Sequence, residues 1–261
     1  MLLFCLSVAI HAQLAAPNPS GVTMGHVHLY TKDTEAQKKF WVGALAAQET
    51  KLGGMQVFKL PGVLIMLDKT DQAGRGGGTE GSVINHVGFK VRDLSATLAK
   101  LESAHIPIVI RNPPQAMVLA PDGIRVELTE DTTISETTIN HHIHFYATDV
   151  DAMKNWYVAT FGAIPGKRGK FEAADLPGVN LTFTPSPTAQ APTMGRALDH
   201  IGFEVRNLED FTKKLEAAGV KFDVPYRTIP YRTIPSLGLS LAFLTDPWGT
   251  YIELTEGLNK L

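Results

Sequence analysis

Three histidines fall within five positions in the stretch NHHIHFYATD, Asn140 to Asp149, directly before an aromatic pair and an acid. An echo, GHVHLYTKD, runs from Gly25 to Asp33. On a strand, residues two apart share a face, so His142, His144 and Tyr146 line up against Ile143 and Phe145. His26, His28 and Tyr30 oppose Val27 and Leu29 in the same way. Buried polar rings need partners, so these polar faces must look into a cavity or cup. His141 falls off that face and is expected in solvent.

Two more histidines, His86 and His200, open the runs HVGFKVRD and HIGFEVRN. There the next position but one is Gly88 or Gly202, which leaves room where the other runs carry a second His. Two later strands, GIRVEL and GTYIEL, bring Glu127 and Glu253, with Arg125 and Tyr251 on the same face as candidate substrate contacts. The aligned positions elsewhere are Met66 and Thr182. Two histidines and one carboxylate bind Fe2+, Mn2+, Zn2+ or Ni2+ and leave positions open for substrate and water. A lone strand His is ordinary filler. Four recurring in step, with Glu in alternate repeats, argue for ligands at His26, His86, Glu127, His142, His200 and Glu253. His28 and His144 are then candidate proton carriers beside the ion, with Tyr30 and Tyr146 as further catalytic candidates.

The elements that position these residues repeat as well. Positions 26, 86, 142 and 200 are almost evenly spaced, and each His is followed seven residues on by Asp33, Asp93, Asp149 or Asn207. The period-two run after each His predicts a half-buried strand, and the Asp or Asn a helix N-cap. Helical patterns follow at Phe40 and Trp41, Leu98 and Leu101, Trp156 and Tyr157, and Phe211 and Leu215, with Gly219 as a C-cap. GVLIML, GIRVEL, GVNLTF and GTYIEL close the units as strands. Units one and three share LPGV, whereas units two and four share VELTE and IELTE, so the chain is a duplicated two-unit half. Its expected domains are 21–135 and 136–261, joined near DTTISETTI. The GxGxxG at Gly76, Gly78 and Gly81 precedes a strand instead of opening a helix, and reads as a flexible linker rather than a dinucleotide loop. PYRTIPYRTI reads as a loop extension, and Asp122 and Asp246 as turn residues.

The 261 residues carry 19% charged and 44% hydrophobic side chains and a net charge of −2, with no basic block. Nucleic acid and anionic membranes are therefore not expected partners. The run Leu2 to Ile10, followed by small residues around Ala12, reads as a secretory signal, with residues 1–20 as signal and linker. The single cysteine, Cys5, lies inside it, so a mature chain has no thiol, disulfide or Cys ligand. The expectation is a periplasmic or secreted protein, free of the membrane after cleavage.

From Gly21 onward, the repeats, the His-to-Asp spacing and the endings PDGIRVEL and DPWGTYIEL resemble the vicinal oxygen chelate superfamily of glyoxalase I, extradiol dioxygenases and fosfomycin- and bleomycin-resistance proteins. The resemblance implies an α+β fold of four βαβββ units, pairing into two open cup-like β-sheets with helices packed outside. It implies the six ligands named above, a divalent ion, and a small substrate chelated through two oxygens. The protein would be a monomeric pseudo-dimer or a homodimer. Pairing within halves groups His26/His86/Glu127 and His142/His200/Glu253; pairing across halves groups His26/His200/Glu253 and His142/His86/Glu127. Glyoxalase I typically adds a second glutamate, where this chain has Met66 and Thr182. The extradiol tyrosine falls on Phe243 or Met117. Ring-cleaving dioxygenase and glyoxalase-like lyase or isomerase both remain open, beside an exported binding or resistance protein without turnover.

Overall fold

A computed structural model describes residues 14–71, 76–229 and 238–261. The expected signal core with Cys5, and the second PYRTI from Pro230 to Ile234, lie outside the described residues, whereas the first PYRTI, expected as loop, belongs to the strand Val224–Ile229. The segment expected as a linker after the signal is docked. The Asn18 side chain donates to the carbonyls of Phe161 and Gly162, and its Oδ1 accepts from the Val22 amide.

Four βαβββ units follow. The first is β1 (Val22–Thr31), α1 (Thr34–Lys38), β2 (Gln48–Leu52), β3 (Met55–Leu60) and β4 (Val63–Lys69). The second is β5 (Ile84–Val91), α2 (Leu94–Ser103), β6 (Ile108–Asn112), β7 (Gln115–Ala120) and β8 (Ile124–Glu130). The third is β9 (Thr138–Ala147), α3 (Val150–Phe161), β10 (Ile164–Arg168), β11 (Phe171–Leu176) and β12 (Val179–Pro185). The fourth is β13 (Leu198–Val205), α4 (Leu208–Ala217), β14 (Val224–Ile229), β15 (Leu239–Thr245) and β16 (Tyr251–Glu256). In the first unit the helix continues as a π-turn over Lys39–Ala44 that carries Phe40 and Trp41.

The strands form two eight-stranded sheets, β14-β15-β16-β13-β1-β4-β3-β2 and β10-β11-β12-β9-β5-β8-β7-β6. Each sheet joins one unit from either side of the 135/136 boundary: units one and four in cup A, units two and three in cup B. The seams are the antiparallel pairs β1 with β13 and β5 with β9.

Apolar strand faces and helices share one core. It holds Val27 and Leu29, Val87 and Phe89, Ile143 and Phe145, and Ile201 and Phe203, together with helix residues such as Trp41 and Phe161. Trp41 meets Phe89 across the two sheets at 5.5 Å, and Phe161 meets Phe203 at 4.9 Å. The helices therefore lie outside both cups, and the polar strand faces turn away from this core.

Asp33, Asp93 and Asp149 cap their helices as their positions predict, each accepting from amides of the first turn. Asn207 does not. It takes a left-handed conformation with φ 59°, and the Glu256 carboxylate accepts from the Asn207 and Leu208 amides instead. Gly219 ends α4 at φ +89°, the backbone that a helix C-terminus favours. The glycine run is not loose over its described part. Gly78 packs on the Gly123 backbone, and the Thr79 amide donates to the Gly123 carbonyl.

The two turn aspartates tie neighbouring units together. Asp122 accepts from Thr31 Oγ1 and Gln37 Nε2 of the first unit. Asp246 accepts from the Tyr157 hydroxyl of the third and from the Trp248 and Thr250 amides. Each half is thus held by contacts between sheets, whereas each sheet is built across halves.

Candidate metal centres

The register explains why the ligands meet. In β1, His26 stands opposite Gly202 and His28 opposite His200. Beside β13, Gly202 pairs with Glu253. A Cβ at Gly202 would overlap the His26 ring, and one at Gly88 the His142 ring. The glycine gap thus receives the first His of the partner unit, not the second His of a neighbouring repeat. The same register pairs Met66 with His28 and Thr182 with His144. Gly88 and Gly202 pair with the glutamates two residues after their own repeat histidines, so Met66 and Thr182 stand where the even units carry Glu.

In cup A, His26 Nε2 and His200 Nε2 approach one oxygen of Glu253 at 2.9 and 3.1 Å. One donor atom each from His26, His28, His200 and Glu253 lies within 4.8 Å of all the others, and all four residues are buried. His26 Nδ1 has no polar partner and Nε2 faces only the Glu253 carboxylate, which suits a buried imidazole that donates electrons to a cation. Behind His200, Asp199 Oδ1 lies 2.7 Å from Nδ1. That bond fixes the Nδ1–H tautomer and turns Nε2 toward Glu253. His28 Nε2 lies 3.2 Å from Asp68 Oδ2, leaving Nδ1 buried and unpartnered. Tyr30 stands edge-on to His28 at 6.0 Å. Tyr251 stacks on Phe243 and meets His200 at 5.6 Å.

The electrostatics follow from burial and partners. Burial lowers His26 and His28, with partial compensation from Glu253 and Asp68. Burial also opposes charge on His200, but hydrogen bonds to Asp199 and Glu253 outweigh it and push the ring up to about 9. Glu253 is held far below the carboxylate range because bonds from His200 and His26 overcome its burial. A pre-formed anion thus faces the histidines. This donor set fits a divalent ion.

Cup B repeats the frame with different chemistry. Its triad is wider: Glu127 lies 3.5 Å from His86 Nε2 and 3.7 Å from His142 Nε2. The residue before His86 is the neutral Asn85, whose Oδ1 lies 2.9 Å from Nδ1. His144 meets Thr184, not an acid, at 2.7 Å. Tyr146 stands edge-on to His144 at 5.7 Å. Arg168 Nη2 donates to His142 Nε2 at 3.1 Å, and Nη1 lies 3.7 Å from Glu127. Burial, then Arg168, holds His142 well below its ordinary range; burial with His86 and Arg168 takes His144 to about 3. Burial lowers His86 against the opposing bond to Glu127, with smaller contributions from Arg168 and Arg125, and Arg125 itself pairs with Glu80 at 3.4 Å.

His141 corrects an expectation: it is half-buried, with Nδ1 3.1 Å from His142 Nδ1, and burial lowers it to about 4. The β5–β9 register shifts here, with Gly88 facing His142 and Phe89 facing Asn140, so His141 sits in a bulge and does not follow the period-two alternation that would have put it in solvent. The structure also adds Asp199, Asp68 and Arg168, none singled out from sequence. Asp199 directly precedes a ligand, and Asp68 lies two residues past Met66 on the same face, so both left a signal. Arg168 left none, because only the fold of its hairpin brings it to His142.

The six expected ligands therefore gather as the cross-half sets, His26/His200/Glu253 and His142/His86/Glu127. The Glyoxalase/Bleomycin resistance protein/Dioxygenase superfamily model matches residues 23–128 and again 139–254. No curated protein sequence matches the chain. Among solved structures, glyoxalase I from Zea mays superposes with a TM-score of 0.70 at 14% identity, covering 92% of this chain and 94% of that one. A point variant of the same maize enzyme gives 0.71 at 14% identity, covering 92% and 95%. A Bacillus subtilis chain assigned as a dioxygenase gives 0.65 at 15% identity, covering 94% and 86%. At such identities the likeness speaks for the fold, while the family model covers most of the chain in two consecutive repeats: the protein belongs to the glyoxalase/bleomycin resistance protein/dioxygenase superfamily.

Proposed function

We propose that the protein is a divalent-metal-dependent lyase or isomerase whose working site is cup A. The observation that carries this reading is the convergence of two imidazole nitrogens on one Glu253 oxygen beside the His28–Asp68 pair. His26, His200 and Glu253 would hold the ion, with Asp199 orienting His200. Bound there, Fe2+, Mn2+, Zn2+ or Ni2+ supplies Lewis-acid polarisation to a small substrate chelated through two oxygens.

The chain's own residues supply the proton transfer. Asp68 holds His28 Nε2, which leaves Nδ1 as the accepting atom. His28 takes the proton from the carbon beside the polarised carbonyl and returns it to the neighbouring atom, while Asp68 steadies the imidazolium. Tyr30 and Tyr251 border the path. Opposite Glu253, at the position of the extradiol tyrosine, stands Phe243, a ring without a hydroxyl, and this favours proton transfer over ring cleavage. Leu52, Val57, Leu64, Met66, Leu239 and Leu258 form an apolar cluster that includes the strand neighbours of the histidines, so the substrate is expected to carry an apolar part. The N-terminal apolar run supports export, with a small molecule as the only partner and the chain acting as a monomer or homodimer.

The test is solvent exchange. Full-length chain, loaded in turn with each ion, is incubated in D2O with small α-hydroxyketones that have apolar substituents. Deuterium should appear at the carbon beside the carbonyl, and His28→Gln should abolish it while the ion is retained. Ligand held unchanged, with no exchange for any ion, refutes the enzyme reading in favour of a binding protein. Consumption of oxygen with a catechol would refute proton transfer in favour of ring cleavage.

A further inference from the structure

The two centres share a frame, yet the atoms that would face an ion are differently engaged. In cup A, both histidine nitrogens of the triad approach the glutamate, and nothing cationic but His200 stands on it in the bonds described above. In cup B, where His86, His142 and His144 also bring ring nitrogens within 4.8 Å of one another, His142 Nε2 lies 3.2 Å from His86 Nε2 and accepts from Arg168 Nη2 at 3.1 Å. The same guanidinium stands 3.7 Å from Glu127 and donates through Nε to Thr182 Oγ1 at 2.9 Å. Three cup residues therefore already share one fixed positive charge, and the Arg168 and Glu127 side chains are only 19% and 15% exposed.

We infer that Arg168 takes the ion's place in cup B, so that the chain binds one divalent ion, in cup A, and the second centre is closed to metal. Three register differences point the same way. Arg168 ends β10 opposite Phe171, and its counterpart at the end of β2, opposite Met55, is the uncharged Leu52. Thr182, which holds the arginine's Nε, is matched by Met66, which has no acceptor for it. Asp199, the anion that orients His200, is matched by neutral Asn85 behind His86. An ion entering cup B would have to displace a guanidinium hydrogen-bonded at both ends, and until displaced that cation repels a divalent charge at close range. In cup A no guanidinium is bonded to the triad in the contacts above, and the only ring beside Glu253 that carries charge is itself a candidate ligand.

This inference rests on metal binding in cup A only for its count of one; the Arg168 block is readable without it. The experiment is equilibrium dialysis of full-length chain against Zn2+, followed by elemental mass spectrometry, with circular dichroism as the folding control. Wild type should hold one ion, Glu253→Ala none, Arg168→Leu two, and Arg168→Leu/Glu253→Ala one. Arg168→Lys, which keeps a cation, should stay at one, and the gain in Zn2+ affinity of cup B on Arg168→Leu should be at least about a hundredfold. Should Arg168→Leu fail to fold, Arg168→Gln keeps the bond to Thr182 without the charge and is expected to give the same gain. Two equally tight ions in wild type overturn the inference. So does a folded Arg168→Leu/Glu253→Ala chain that takes up no ion. A wild type that holds no ion, with the double variant still gaining one, overturns the metal enzyme reading and leaves the arginine block standing.

Discussion

Gly202→Ala tests the seam of cup A most directly. The new methyl would lie inside the contact distance of three atoms of the His26 ring, Cε1, Nδ1 and Nε2. His26 is fully buried, so its ring has no free volume to enter. Relief requires β1 and β13 to part or the imidazole to rotate away from Glu253, and both move a ligand nitrogen. Overpacking of this kind costs about 1–3 kcal/mol. Three overlapped atoms at a backbone seam place the expected cost near the top of that range. At about 2–4 °C per kcal/mol for a chain of this size, the metal-free protein should melt about 6–12 °C lower. Zn2+ affinity should fall at least about tenfold, since even displaced supporting groups cost that much. Thermal melts and calorimetric titration read the two effects separately. Gly54→Ala, whose methyl meets nothing, is the control and should stay within about 0.5 kcal/mol. Gly88→Ala should destabilise similarly through His142 yet leave Zn2+ stoichiometry unchanged. A Gly202→Ala chain with wild-type melting and wild-type affinity would refute the packing argument.

Other expectations follow from the same geometry. Asp199→Asn removes the anion behind His200 and should weaken Zn2+ binding about 10–100-fold in titration, with little change in helix content. In the metal-free chain His200 sits raised to about 9, against an ordinary value of 6.5. Its contribution to stability is therefore complete below pH 6.5 and lost as pH rises through about 9, which urea unfolding across that window should register. For the same reason, Zn2+ binding at pH 7.5 should release about one proton from His200, measurable by titration in buffers of different ionisation enthalpy, and the release should vanish above pH 9. Tyr157→Phe removes the buried hydroxyl bond to Asp246 and should cost about 0.5–1.5 kcal/mol without altering bound metal, as expected if that aspartate is structural.

The histidines and glutamates of the centres were legible because two regularities coincide in them. A period-two strand shows which residues share a face, and the repeat shows which of those recur. Their sorting into two sites was hidden for a physical reason. Gly88 and Gly202 each make room for one imidazole, and both odd units offer one in the same place. His26 would serve Gly88 as well as Gly202, so local complementarity is silent on which seam forms. Asp199 could be suspected because it directly precedes a candidate ligand, and Asp68 because it lies two residues past Met66 on the same face of β4. Arg168 could not, since its approach to His142 depends on how the third unit's first hairpin curls over the cup. Asn207 misled because the residue type suits a cap, whereas Glu256 from another strand had already satisfied those amides.

The cross-half seams change what a bound ion does for the fold. Cup B joins units that are neighbours in sequence, and its half-buried charges are balanced from within, Arg168 against Glu127. Cup A joins the first unit to the last, and its Glu253 is countered by a histidine that can lose its proton. An ion there would replace that labile charge with a fixed one and tie units one and four across β1 and β13. Because such a site does not exist in the unfolded chain, its binding free energy adds to the stability of the whole interlocked structure, not of one half. The aspartates that clip units one to two and three to four link that seam to cup B, so an ion in cup A would steady the second seam as well.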